Sequence, residues 1–180
     1  IRLFATGGIG GVHRGDRGDI STDLTELAKT PVAVVCSGAK AILDLPKTLE
    51  WLETAGVPVL GWQTDEFPAF LVHSSGMTVS ARVDTVAEVA EIVQQHWEIG
   101  GEGVLICIPC PEDAAVDSTL FETALQQAEE EVKNEGISGQ GVTPYLLNRL
   151  SELTDGATLH ANLALLLENA FISSQIAKAM

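Results

Sequence analysis

The sequence is short of positive charge, of cysteine and of long apolar runs, and each shortage removes a class of function. Ten lysines and arginines stand against twenty-five acidic residues, a net charge of −15. So acidic a chain repels phosphate backbones and anionic headgroups, so neither nucleic acid nor a membrane surface is expected as a partner. No apolar stretch approaches the roughly 20 residues of a membrane-spanning helix, and the first residues do not form a secretory signal. The three cysteines, Cys36, Cys107 and Cys110, make no disulfide framework and fit a reducing compartment, so a soluble, cytoplasmic protein is expected. Cys107 and Cys110 have the spacing of a redox or zinc pair, but there is no second pair and Cys107 sits inside an apolar run. Buried, inert thiols are the expectation.

What is present suits one globular domain over residues 1–180, 46% hydrophobic and able to bury a real core. Strand-like and helix-like stretches alternate, which predicts a three-layer α/β/α sandwich around a largely buried mixed sheet. The chain opens on Ile1 inside a strand pattern, Ile1-Arg2-Leu3-Phe4, and is expected to be a piece of something longer. The loop Ala5-Thr6-Gly7-Gly8-Ile9-Gly10-Gly11-Val12 is glycine-rich enough for a ligand to approach the backbone closely. It is not a dinucleotide fingerprint, because His13-Arg14-Gly15 follows where a helix-opening glycine should stand, and no Lys-Ser or Lys-Thr pair makes a phosphate-binding loop. The two Arg-Gly-Asp tripeptides at 14–16 and 17–19 are read as part of a polar, glycine-punctuated loop.

The chemistry gathers around Val32-Ala33-Val34-Val35-Cys36-Ser37-Gly38-Ala39-Lys40. The uncharged run predicts a strand buried on both faces. Lys40 then falls in the first turn of a helix opened by Ala39, Ile42 and Leu43, at the carboxyl edge where open α/β sheets hold ligands. A cation is disfavoured at the positive end of a helix dipole, and that favours the neutral, nucleophilic amine. Upstream, Asp19-Ile20-Ser21-Thr22-Asp23-Leu24 predicts a short helix starting near Ser21 or Thr22. Lys29-Thr30-Pro31 joins it tightly to the strand, so its start and the strand's end share one edge, and Asp19, Ser21, Asp23 and Lys40 can converge. The plainer alternative makes Asp23 a first-turn helix acid and Lys40 a solvated surface lysine.

Further along, strands are predicted at Val57–Trp62, Ala69–His73, Thr78–Val83 and Val104–Ile108, the middle two short. Thr85 with Glu88 forms a capping box for a helix stopped by Gly100-Gly101. Ser118 to Asn134 is an amphipathic helix with a solvated acidic face at Glu129-Glu130-Glu131. Thr143-Pro144 starts another helix, and Thr158 to Lys178 is the last. There Asn162 and Asn169 stand among leucines and need partners, either a ligand's amide edge or an inter-helix hydrogen bond.

Taken together, Phe4-Ala5-Thr6-Gly7-Gly8-Ile9-Gly10-Gly11-Val12-His13-Arg14-Gly15, Asp19-Ile20-Ser21-Thr22-Asp23-Leu24 and Cys36-Ser37-Gly38-Ala39-Lys40-Ala41-Ile42-Leu43-Asp44 closely resemble the pseudouridine-5'-phosphate glycosidases, also called the indigoidine synthase A family. Further matches lie at 53–61, 143–147 and 159–170, so the resemblance covers essentially the whole chain. It implies an α/β/α fold, a manganese ion (Mn2+) and a homotrimer. It also implies reversible cleavage of the carbon-carbon glycosidic bond of pseudouridine 5'-phosphate to uracil and ribose 5-phosphate.

By the same resemblance, Lys40 is the amine that forms an imine with the opened sugar, Asp23 the acid beside it, and Asp19 the metal ligand. Ser21, Thr22 and Asp23 match the substrate-binding segment, Thr6 and His13 match pocket residues, and Asn162 matches the residue that holds the uracil edge. The family keeps a glutamate general acid and a second lysine in a part that would precede Ile1, and its usual Asn-Pro-Ile-Pro reads Ile108-Pro109-Cys110-Pro111 here. A non-catalytic remnant that binds metal and sugar phosphate is the alternative function.

Overall fold

A computed structural model describes residues 1–14 and 18–180, apart from the side chain of residue 140. Residues 15–17, which carry part of both Arg-Gly-Asp tripeptides, lie outside the described set. Among the described residues five short strands form one sheet: β1 (Leu3–Ala5), β2 (Ala33–Cys36), β3 (Val59–Trp62), β4 (Ala81–Val83) and β5 (Val104–Cys107), in the order β1-β2-β5-β3-β4. The helices are α1 (Thr22–Leu27), α2 (Leu45–Thr54), α3 (Val86–Glu98), α4 (Ser118–Glu135), α5 (Val142–Leu153) and α6 (Ala157–Ala179).

β2 and β5 are buried at every position, as a central parallel strand must be when helices cover both faces. Side chains alternate between the two faces. Ala33, Val35, Val104 and Ile106 pack under α3 and α6 with Val89, Val93, Ile172 and Ile176. Val34, Cys36, Leu105 and Cys107 face the other layer with Leu24, Leu52, Phe121, Leu125 and Leu150. The α/β/α sandwich is therefore present. Among the described residues every strand pairing is parallel, and antiparallel pairing occurs only as isolated bridges such as Val12–Ile20 and Gly38–Ala69. The antiparallel part of the expected mixed sheet thus lies in loops. Of the two short strands expected there, 69–73 is a turn with Phe70 in a left-handed conformation, and 78–83 shortens to β4.

Parallel pairing sends all strand ends to one edge, and local signals fix what happens there. Ser21 caps α1, accepting from the Asp23 N–H at 3.2 Å. The Thr85–Glu88 capping box is formed in full. The largest departure from the sequence reading concerns the helix after β2. It begins at Leu45, capped by Asp44, whose carboxylate accepts from the Lys47 N–H at 3.1 Å, with Pro46 in its first turn. Lys40 therefore sits in a bridged turn before this helix rather than in its first turn, and the dipole argument drawn from that helix does not apply to it.

The acidic face of α4 is more than a solvated surface. Glu131 accepts from Arg149 Nε at 2.6 Å and Nη2 at 3.0 Å, a two-pronged clamp between α4 and α5. The Arg149 bonds, then that from Gln127, hold the Glu131 carboxyl down at about 2 from its ordinary 4.5. A carboxylate whose pKa falls on folding stabilises the fold fully above its unfolded value, and that contribution is lost as pH falls through the folded one. Stability should therefore decline between about pH 4.5 and about pH 2. In Arg149→Met, denaturation midpoints measured across that window should decline less steeply.

α6 is apolar nearly all round. Ile172 and Ile176 are buried, while Leu159, Leu163, Leu167 and Phe171, four residues apart, are 54%, 54%, 74% and 59% exposed. No described helix is long and apolar enough to cross a membrane.

Candidate active site

The glycine-rich loop after β1 also organises the strand-end edge through the protein's own packing. A Cβ on Gly10 would lie 2.2 Å from Ser21 Oγ and 3.0 Å from Asp23 Oδ2. One on Gly8 would lie 2.7 Å from the Phe70 ring, one on Gly11 2.4 Å from Thr48 Oγ1, and one on Gly7 3.3 Å from Asn162 Oδ1. The glycines make room for the protein's own side chains, and several of those are the candidate site residues.

Backbone hydrogen bonds lock the arrangement. Asp23 Oδ2 accepts from the Gly10 N–H at 2.7 Å, and Ser21 N–H donates to the Gly11 carbonyl at 2.9 Å. Lys40 N–H donates to the Ile9 carbonyl, and Ile9 N–H to the Gly38 carbonyl, both at 3.0 Å. The segments carrying Asp23 and Lys40 are thus tied to the adjacent residues Gly10 and Ile9. Of the four residues expected to converge, Ser21, Asp23 and Lys40 are brought together at the level of the backbone, whereas Asp19 is bonded to His13 and lines a cleft that the other three do not. Among the described residues no ion pair joins Lys40 to a carboxylate, and its side chain is half-buried. Asp23 and Thr22 are exposed on the first turn of α1.

Thr6 directly follows β1, its N–H donating to the Val35 carbonyl at 2.9 Å. His13 and Asp19 close the loop's far side, His13 N–H donating to the Asp19 carbonyl at 2.9 Å. Both line a cleft of about 610 Å³ that is bounded also by Arg14, Ile42, Lys133 and Leu146. Asp19 is exposed, and among the described residues no three or more of His, Cys, Asp and Glu come together as a metal cluster.

Four residues that the sequence reading did not place hold this edge together. Asn169 is fully buried, and its Nδ2 donates to the Thr6 carbonyl at 2.9 Å and to Ser37 Oγ at 3.1 Å. Its partners are the ends of β1 and β2, so the need for a partner read from the sequence is met inside the fold, by neither a ligand nor another helix. Thr48, on α2, accepts from the Val12 N–H at 3.0 Å and donates to the Asp44 carbonyl at 2.7 Å. Arg14 donates to the carbonyls of Ala41 at 2.9 Å and Leu43 at 3.2 Å, closing the turn after Lys40. Phe70 packs on Gly8. Only the asparagine carried a signal in the sequence; a threonine, an arginine and a phenylalanine are too common to stand out.

The cysteines are buried and free. Cys107 lies 4.0 Å from Cys36 across the β2–β5 ladder rather than beside Cys110. Burial first, then the Cys36 contact, pushes the Cys107 thiol well above its ordinary value, and burial pushes Cys110 up to about 11. Thiols so held are poor nucleophiles and poor ligands.

The family model for indigoidine synthase A like protein matches residues 1–179. The chain belongs to that family. Within it, the chain is 51% identical over 180 residues to a pseudouridine-5'-phosphate glycosidase of Caldanaerobacter subterraneus, covering 98% of this chain and 59% of that protein. It is 50% identical over 182 residues to the glycosidase of the same name from Sorangium cellulosum, covering 100% and 57%. Among solved structures, an indigoidine synthase A-like protein of Thermotoga maritima superposes with a TM-score of 0.90 at 42% identity, over 98% of this chain and 59% of that one. The prealnumycin C-glycosynthase AlnA, solved in complex with ribulose 5-phosphate, superposes with a TM-score of 0.89 at 40% identity, over 99% and 61%. This indigoidine synthase A like chain thus spans about three-fifths of the length of the relatives it matches.

Proposed function

We propose that the chain carries the sugar-binding and imine-forming part of a pseudouridine-5'-phosphate glycosidase, acting reversibly on pseudouridine 5'-phosphate, water, uracil and ribose 5-phosphate. The observation that supports it most directly is the anchoring of the Asp23 and Lys40 segments to adjacent residues of one glycine loop, Gly10 and Ile9. A carbon-carbon glycosidic bond does not leave on simple protonation, so the sugar must first be opened and attached to an amine. In the proposed sequence the C1'–O4' bond breaks, O4' takes a proton from Asp23, and Lys40 Nζ bonds to C1' and gives a proton back to Asp23. The nitrogen lone pair then forms the C1'=N double bond as the C1'–C5 pair departs onto uracil, which is protonated at C5. Water hydrolyses the imine to ribose 5-phosphate and returns the amine.

Asp23 is assigned the proton transfers during ring opening. One of its oxygens is held by the Gly10 N–H, and that bond orients the other. Ser21 and Thr22, beside it, are assigned to the sugar phosphate, Thr6 and His13 to the pocket wall, and Asn162 to the uracil edge.

Asp19 suits a divalent ion that keeps most of its own waters, because it offers one exposed, hard carboxylate on the cleft. Manganese held there would offset the phosphate charge in a protein of net charge −15. Asp19→Ala should lose calorimetric manganese binding; a titration unchanged from the parent would remove the assignment. A homotrimer is the proposed assembly, and the apolar row on α6 is a surface that such an association could bury.

The test is borohydride trapping with ribose 5-phosphate followed by peptide mass mapping, on this chain and on a full-length relative. An adduct on Lys40 in both supports the reading. Because the chain spans only about three-fifths of its relatives, a second reading is a sugar-phosphate-binding remnant. Binding of ribose 5-phosphate by this chain without an adduct, alongside an adduct in the relative, would favour it.

A further inference from the structure

Phe70 has a φ of +63°, a region that bulky side chains rarely enter. Its surroundings hold it there. The Phe70 N–H donates to the Ser37 carbonyl at 3.0 Å, and the ring is 5% exposed and lies against Gly8. Its neighbour Ala69 bridges Gly38, and Gly38 in turn leaves no room for a side chain beside the Pro68 carbonyl.

Segment 67–70 therefore grips both turns of the site edge, Gly8-Ile9 and Ser37-Gly38. Those turns are bonded to each other through Ile9 N–H to the Gly38 carbonyl, and Lys40 hangs from the Ile9 carbonyl. Core packing alone would not call for this combination. Glycine or asparagine would take the backbone without strain, and leucine would fill the volume in a relaxed strand. A strained residue kept inside a hydrogen-bonded clasp at a strand-end edge is the pattern of a preorganised site.

We propose that Phe70 is a positioning residue for Lys40: its ring, wedged on Gly8, seats the two turns against each other and fixes where the lysine leaves the backbone. The use of that lysine in an imine rests on the function proposed above, but its placement does not. Without the ring, Gly8 and Ile9 are free to settle toward segment 67–70 and carry the Lys40 backbone with them.

Two measurements on Phe70→Gly and Phe70→Tyr separate the possibilities. The first is competitive trace acetylation of lysines, with exposed Lys178 as the internal standard, followed across a pH series. The second is borohydride trapping with ribose 5-phosphate. Phe70→Gly relieves the backbone while removing the ring; if it does not fold, Phe70→Leu replaces it, keeping apolar bulk without the flat ring. The expected result is a changed Lys40 acetylation profile relative to Lys178 and an adduct formed about tenfold more slowly or worse. Phe70→Tyr should restore both to within about twofold of the parent.

A purely structural role would lower the denaturation midpoint but leave the Lys40 profile of the folded protein as in the parent, and that outcome overturns the proposal. An adduct formed by Phe70→Gly at the parent's rate also overturns it. If the parent forms no adduct yet Phe70→Gly shifts the Lys40 profile, the imine reading falls and the positioning role stands.

Discussion

Lys40→Ala should form no borohydride-stable adduct with ribose 5-phosphate, and in a full-length enzyme the equivalent change should lower turnover by about a thousandfold or more. The effect is this large because the amine's bond to C1' is the step on which departure of uracil depends. Lys47, the next lysine along the chain, is engaged with Asp44 at 2.9 Å on the first turn of α2. Lys40→Arg separates charge from nucleophilicity. It leaves Ser21 and Thr22 in place for the phosphate, so sugar-phosphate binding should survive, but a guanidinium cannot form the imine and the adduct should be lost equally. Because the Lys40 side chain is half-buried and pairs with no described carboxylate, neither change should move the denaturation midpoint far. An adduct that persists in Lys40→Ala, or that maps to Lys47, would remove Lys40 from the mechanism.

Gly38→Ala should destabilise the fold by about 3–5 kcal/mol, enough to unfold much of a marginally stable domain. Two costs coincide at this position. The backbone has a φ of +81°, and an added Cβ would lie 2.0 Å from the Pro68 carbonyl oxygen. That oxygen belongs to buried backbone in the segment that grips the site, so it cannot swing aside as a flexible side chain could. Gly56 separates the two costs. Its φ is +70° and nothing lies within 4 Å of the added carbon, so Gly56→Ala should cost only about 1–2 kcal/mol, the conformational part alone. Urea denaturation of both variants gives the comparison. Equal losses would show that the Pro68 contact relaxes and that the Ser37-Gly38 turn can move.

Much of the fold was legible in the sequence because its signals are local. Ser21 as a cap, the Thr85–Glu88 box, and the uncharged runs of β2 and β5 each specify a structure within a few residues. Connectivity then carried one long-range inference. A tight link between α1 and β2 brings the start of one beside the end of the other, and Asp23 and Lys40 are indeed tied to adjacent residues. The same local reasoning misjudged the helix after Lys40. The apolar residues Ala39, Ile42 and Leu43 have helical spacing but are buried in a bridged turn, their burial set by the layer of helices beside the sheet.

Residue types and their order thus determined the α/β class, the element order apart from the strand expected at 69–73, and the edge on which chemistry can gather. Only the tertiary structure decided why the loop after β1 is so rich in glycine: Ser21, Asp23, Thr48, Phe70 and Asn162 arrive from 10 or more positions away to occupy the space that side chains would have filled. It also decided that Asn169 spends its hydrogen bonds on Thr6 and Ser37, and that Phe70 carries strain. These are relations between residues distant in the chain, and neither hydrophobic period nor capping chemistry reports them. They follow from which surfaces meet once the layers have packed.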